Sequence, residues 1–396
     1  MGIPNQTIAD LLGGKVISLE IVNKIMNLKA AEYEESGKQF DEAAINKLAG
    51  SMLKVLDSLV NTEKEYKPNE FIFEYDGAKF LTKGDLHTIG AKHKGGKTSL
   101  IYILIACMLS GSWNKLKCII PDLKVVCVDT EQKGIDTQNA LLKICKMANV
   151  DPTEVEQRLH MFNFRPLTPD EMKLGIHLLL QVYKPDILFV DGIVDLCRDF
   201  NDVEASQALV INYLLKIADE HNCAIINVLH TNKTDGYQEL RGHLGAFLAQ
   251  KGNCVFKCEQ DPNTHIVTVS LPTVRYAPVP DFYFTFDEDG MPIDAEQHFL
   301  EVQAEMAKNA KLRKEEEKRQ KMNERKDVIL ELVKANGGSS YRKDVRKSFC
   351  DKTGKGETTF NETLKEMLEA EDLFESGPRN QLVLSLHKTQ EIPGLK

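Results

Sequence analysis

No apolar run in this sequence approaches the roughly 18 residues that a membrane-crossing helix needs, so a bilayer-spanning chain is not expected. A basic excess is also missing. The formal net charge of −9 argues against a protein that coats nucleic acid by bulk electrostatics, although a local basic channel inside an acidic assembly stays open. The nine cysteines show neither CxxC nor Cys/His spacing, and Cys107, Cys127 and Cys223 lie inside apolar runs, where Cys acts as a small buried hydrophobe. A disulfide framework or a zinc site is therefore not expected. The start, Met-Gly-Ile-Pro-Asn-Gln-Thr, has no basic region followed by an apolar stretch. Gln6 stands where myristoylation of Gly2 would want Ser or Thr. The expected address is cytoplasmic.

What is present is a change of hydrophobic period along the chain. Residues 1–70 carry apolar residues at three- and four-residue spacing over Thr7–Leu12, Ile17–Tyr33 and Ala43–Leu59, which predicts a helical N-terminal region. From Phe71 to about 296, strand-like runs alternate with helical stretches, the pattern of a parallel sheet with crossover helices. Strands are expected at Leu86–Ile89, Lys124–Asp129, His160–Phe164, Ile187–Asp191, Ala224–His230, Cys254–Glu259, Ile266–Leu271 and Phe282–Phe286. The last three follow one another without helices between them, as an antiparallel edge would. Residues 297–325 are charged, lack Gly and Pro, and predict a solvated linker helix. Residues 326–396 show three helical stretches (Asp327–Ala335, Tyr341–Phe349, Thr359–Ala370) closed by a hairpin around Gly377-Pro378-Arg379-Asn380, a winged-helix-like pattern. No internal repeat is visible.

The strongest chemical signal is Gly90-Ala91-Lys92-His93-Lys94-Gly95-Gly96-Lys97-Thr98-Ser99, set between an apolar strand and an apolar helical run. Glycines let successive backbone N–H groups turn toward phosphates, and the positive end of the following helix adds to them. Lys97 would neutralise the β and γ oxygens of ATP, and the Thr98 hydroxyl would ligate Mg²⁺. Pro185–Asp191 is an apolar strand ending in a carboxylate, and strand C-termini converge on the nucleotide in such sheets. Asp191 is therefore the second metal-side residue. Gly192 follows it directly, so a general base must come from elsewhere, and Glu131, just past the neighbouring strand, is the candidate. Asp129 is assigned instead to hydrogen bonding at the strand end. A third strand ends in His230-Thr231-Asn232-Lys233, where His230 is a candidate sensor of the γ-phosphate.

These residues carry a family likeness. Ile187–Asn201, Cys223–Lys233 and Leu240-Arg-Gly-His-Leu-Gly-Ala-Phe resemble RepA-type hexameric replicative helicases of plasmids and mobile elements and their AAA_25 relatives, over about residues 70–290. The resemblance implies a RecA-like P-loop NTPase core and places the water-polarising glutamate at Glu131. It implies a homo-oligomeric ring, hexameric in those relatives, with ATP between subunits and a neighbour's arginine at the γ-phosphate. Ser270-Leu-Pro-Thr-Val-Arg275 is similar to the segment that carries this finger, which nominates Arg275, with Arg241 as the rival. Thr273 departs from that pattern, since the family has a second basic residue there. The polar loop Thr231–Gly242, with Lys233, Tyr237 and Arg241, would be the contact to single-stranded DNA. Two functions fit: a DNA-stimulated ATPase acting as a helicase, and a nucleotide-switched regulator whose turnover only gates partner binding. In the C-terminal unit the third helix is acidic, and Tyr341-Arg342-Lys343-Asp-Val-Arg346-Lys347 is the better basic patch.

Overall fold

A computed structural model describes residues 19–60, 62, 65–232, 240–379 and 381–388. The chain divides into two compact units, Met1–Asn69 and Glu70–Lys396. In the first, α1 (Leu19–Glu35) and α2 (Glu42–Asp57) form a helical pair. Asp41 caps α2 by accepting from the Ala44 N–H at 2.9 Å. Val22 packs against Met26, Met52, Leu53 and Leu56. The helix expected at Thr7–Leu12 lies outside the described residues.

The second unit begins with β1 (Phe71–Tyr75) and β2 (Ala78–Thr82), strands that the periodicity reading did not place. Asp76 and Gly77 join them with φ of 45° and 81°, the two positive values a tight hairpin requires. The pair extends to β5 (Leu116–Cys118) and β4 (Ser112–Trp113) in a small antiparallel sheet. The main sheet has nine strands in the order β13-β12-β11-β10-β3-β9-β8-β6-β7. Its parallel part comprises β10 (Cys254–Gln260), β3 (Leu86–Ala91), β9 (Ala224–His230), β8 (Ile187–Asp191), β6 (Val125–Asp129) and β7 (Leu159–Asn163). β11 (Val267–Val274), β12 (Phe282–Phe286) and β13 (Pro292–Asp294) complete it antiparallel. This corrects one expectation. The strand at Cys254 joins the parallel set because α8 (Gly242–Lys251) precedes it and returns the chain beside β3.

Burial follows strand alternation. Ile187 and Phe189 face one core with Val125, Cys127, Ile226 and the helix α3 (Lys97–Ser110). Leu188 and Val190 face the other, with Val126, Val128 and Ile225. That second face is covered by α5 (Pro169–Tyr183), α6 (Val203–Gln207), a π-helical stretch (Ala208–Leu214), α7 (Leu215–His221) and α8. α4 (Gly134–Ala148) lies with α3 on the first. α3 is apolar around most of its circumference, which suits a helix enclosed on all sides.

The charged linker and the next helical stretch are one element, α9 (Glu296–Ala335), of 40 residues. Neither Gly nor Pro interrupts it, and only Ile329 and Val333 near its end are buried. They join Val345, Phe349, Phe360, Leu364, Met367, Leu373 and Leu384 in a separate small core. Around it stand α10 (Arg342–Thr353), α11 (Glu357–Glu369) and the sheet β14-β16-β15 (Ser339–Tyr341, Val383–Ser385, Phe374–Ser376). No helix among the described residues is long and apolar enough to cross a membrane.

Candidate nucleotide site

Strand register assembles the site. Ala91 pairs with His230, Asp191 with Val228, and Asp129 with Asp191, so the C-terminal tips of β3, β9, β8 and β6 stand side by side. The loop after β3 needs its glycines. A Cβ on Gly90 would lie 2.5 Å from Leu240 Cδ2, one on Gly95 would lie 2.9 Å from the Lys92 carbonyl oxygen, and Gly96 takes φ of 90°. α3 then starts without a side-chain cap and without an acidic residue in its first turn. Its free N–H groups and positive dipole end suit an anion.

Lys97 Nζ lies 3.0 Å from His230 Nδ1 and also donates to the carbonyls of Lys92 (3.3 Å) and Ala91 (3.5 Å). Burial holds the Lys97 pKa down, against the pull of Asp191 and Glu131. Burial, then Lys97, His93 and Arg241, lower that of His230. The imidazole is thus kept neutral, with Nδ1 accepting from the ammonium. His93 stacks on His230 with ring centroids 6.1 Å apart. Lys92, His93, His230, Thr231, Asn232 and Arg241 line one cleft of about 830 Å³. The Thr231 hydroxyl is buried there without a hydrogen-bond partner among the described residues.

On the metal side, Thr98 Oγ1 donates to Asp191 Oδ2 at 3.4 Å. Asp191 is 7% exposed. Burial first, then Glu131 and Asp129, push its carboxyl up to about 7, opposed by Lys97 and Thr98. Among the described residues no cluster of three or more His, Cys, Asp or Glu forms a metal cage. A hydroxyl and one buried carboxylate fit Mg²⁺, which keeps several waters and takes its remaining oxygens from phosphates.

The two acidic candidates on β6 and its following turn have separate tasks. Asp129 is engaged: Oδ1 accepts from the N–H groups of Glu131 (3.0 Å) and Gln132 (2.9 Å), and Oδ2 from Thr137 Oγ1 (2.9 Å). Glu131 is exposed at the turn. Partial burial and Asp195 raise its pKa, against Lys97. Sequence reading missed Asp195 and Thr130. Thr130 Oγ1 donates to Asp195 Oδ2 at 2.7 Å, and it also reaches the carbonyl of Asp191 at 3.0 Å. Gly192, at φ of 102°, makes room, since a Cβ there would lie 2.0 Å from Thr130 Oγ1. The available signal was Asp195 itself, four residues past Asp191 on the turn Ile193–Leu196.

The arginine candidates separate. Arg241 lines the cleft, with its guanidinium 4.7 Å from the centroid of the Phe200 ring. Arg275 is exposed just past β11, its N–H bonded to the Asn253 carbonyl and its guanidinium donating to the Lys251 carbonyl at 3.3 Å. Because Val274 pairs with Cys254, and Cys254 with His87, Arg275 stands at the opposite end of the strands from the phosphate loop. Lys233 and Tyr237 lie outside the described residues.

Residues 74–236 match the AAA_25 family model, an AAA domain. Similar solved structures include the RadB recombinase, 20% identical over 56% of this chain and 94% of that one, with a TM-score of 0.41. Another is a KaiC-like protein from the hyperthermophilic archaeon Pyrococcus horikoshii, 12% identical over 54% and 90%, with a TM-score of 0.39. None of the curated proteins matches the chain.

Proposed function

We propose that the chain is an ATP-hydrolysing, ring-forming DNA helicase serving replication or mobilisation of a plasmid or mobile element. The observation that supports it most is the meeting of Lys97, Thr98, Asp191 and Glu131 at adjacent strand tips within an AAA_25 domain. The backbone N–H groups at the start of α3 hold the phosphates, and Lys97 Nζ leaves His230 for the β and γ oxygens. Thr98 and Asp191 would hold Mg²⁺, which would neutralise phosphate charge when bound. Glu131, partly desolvated and above its ordinary pKa, takes the proton of the attacking water. His230, released from Lys97, is then free to present an imidazole N–H to the γ-phosphate.

Arg275 cannot serve its own phosphate loop from the far end of the strands, so its catalytic role is toward a neighbouring copy. Arg275→Ala and Lys97→Ala should each be inactive alone, a finger arginine being worth about 10³–10⁵ in turnover. Mixed in equal amounts they should recover activity, because some interfaces then join an intact loop to an intact finger. No recovery on mixing removes Arg275 from this role and leaves Arg241. Helicase action is tested by ATPase rate with and without single-stranded DNA, together with strand displacement. Turnover indifferent to DNA, with no unwinding, would replace the helicase by the nucleotide-switched regulator.

A further inference from the structure

We propose that the C-terminal unit binds the phosphate backbone of duplex DNA through the cavity between the start of α10 and the β15–β16 turn, its third helix contributing only Asn361. The cavity, of about 420 Å³, is lined by Tyr341, Arg342, Lys343, Arg346, Asn361 and Arg379, together with Gln381 and Leu382. Four cations and two side-chain amides face it, and no carboxylate lines it. The unit as a whole is close to neutral, so its charge is sorted: α11 carries Glu357, Glu362, Glu366 and Glu369.

The arginines are held in place. Arg342 donates to Glu375 Oε1 at 3.0 Å and to Asn361 Oδ1 at 3.0 Å, and Arg346 to Glu357 Oε2 at 3.0 Å. Lys343 and Arg379 have no ion-pair partner among the described residues. Lys343 lies over the Tyr341 ring, 5.6 Å from its centroid, and Arg379 is exposed on the hairpin turn. The cavity walls thus come from the start of α10, the hairpin turn and Asn361 of α11, and the two cations without ion-pair partners belong to different walls. The next cavity along α10 is of mixed charge, with Lys347 and Lys355 beside Asp344, Asp351 and Glu357, so the carboxylate-free lining is confined to the first. An acidic peptide would need apolar anchors as well as cations, and here only Tyr341 and Leu382 are offered. The glutamates of α11 would repel a polyanion, so the third helix enters the contact only through Asn361.

The test uses the full chain, with anisotropy of labelled duplex and single-stranded oligonucleotides across a salt series. Lys343→Glu and Arg379→Glu should each weaken duplex binding, and together by about 10- to 100-fold. Each lost phosphate contact should also flatten the salt dependence by about one unit of slope. Lys365→Glu, the same charge change on α11, should leave affinity unchanged. Labelled-nucleotide binding at Lys97 and an unchanged melting temperature confirm that the variants fold. Unchanged duplex binding in the double variant, an equal loss with Lys365→Glu, or a loss confined to single strands would each overturn the proposal.

Discussion

Glu131→Gln is expected to leave nucleotide binding intact while lowering steady-state ATP turnover by about 10²–10⁴, the usual range for losing a positioned general base. The amide keeps the shape of the side chain and the backbone bond to Asp129 but cannot accept the proton. Asp129→Asn provides the contrast. Asp129 accepts three hydrogen bonds that fix the turn after β6. Its amide therefore turns one acceptor into a donor facing donors, at a cost of about 1–3 kcal/mol. The expected signature is a lower melting temperature with turnover reduced only as far as the turn is disturbed. Single-turnover hydrolysis beside equilibrium binding of a labelled nucleotide separates the cases. Should Glu131→Gln turn over normally while Asp129→Asn binds ATP and stalls, the base assignment moves to Asp129.

The strand tips of the candidate site could be read from the sequence because buried parallel strands are continuous apolar runs, and the first polar residue ending each stands at the strand's C-terminus. Asp191, His230 and the phosphate loop were found this way, and register alone then brings them together. Asp195 was not found, because its place depends on a turn whose geometry needs Gly192 at positive φ, and sequence spacing does not report that. The β1–β2 hairpin was legible in principle. Its Asp76-Gly77 pair is a turn signal, but the strands are short and their burial does not alternate, with Ile72 and Phe73 buried in succession, so the periodic signal is lost. The strand at Cys254 was assigned to the wrong partner set for a different reason. α8 is short and Gly-containing, so it does not announce a crossover. The single helix from Glu296 to Ala335 runs through the expected boundary at 325/326 because nothing in its sequence breaks it, and the shift there is only from a solvated to a partly buried face.

Asp191→Asn is expected to make the nucleotide-free chain more stable at pH 8 and, at the same time, unable to gain stability from Mg²⁺ and nucleotide together. The folded-state pKa of this carboxyl is raised from 3.8 to about 7, chiefly by burial. Between these values the folded chain binds more protons than the unfolded one, so stability falls as pH rises through that window. Above about pH 7 the full cost of ionising a buried carboxylate is present, at most ~4 kcal/mol at 1.36 kcal/mol per pH unit. Asn carries no charge and still accepts from Thr98 Oγ1 through its amide oxygen, so the cost disappears. The gain should shrink steadily toward pH 4, where both side chains are neutral. In the wild type the same cost is what a bound cation relieves, so Mg²⁺ with a non-hydrolysable nucleotide should raise its unfolding midpoint, while the variant responds far less. Urea unfolding at pH 5 and pH 8, with and without the metal–nucleotide pair, measures both effects. A variant less stable than the wild type at pH 8, or equally stabilised by the pair, would show that position 191 does not steer the metal.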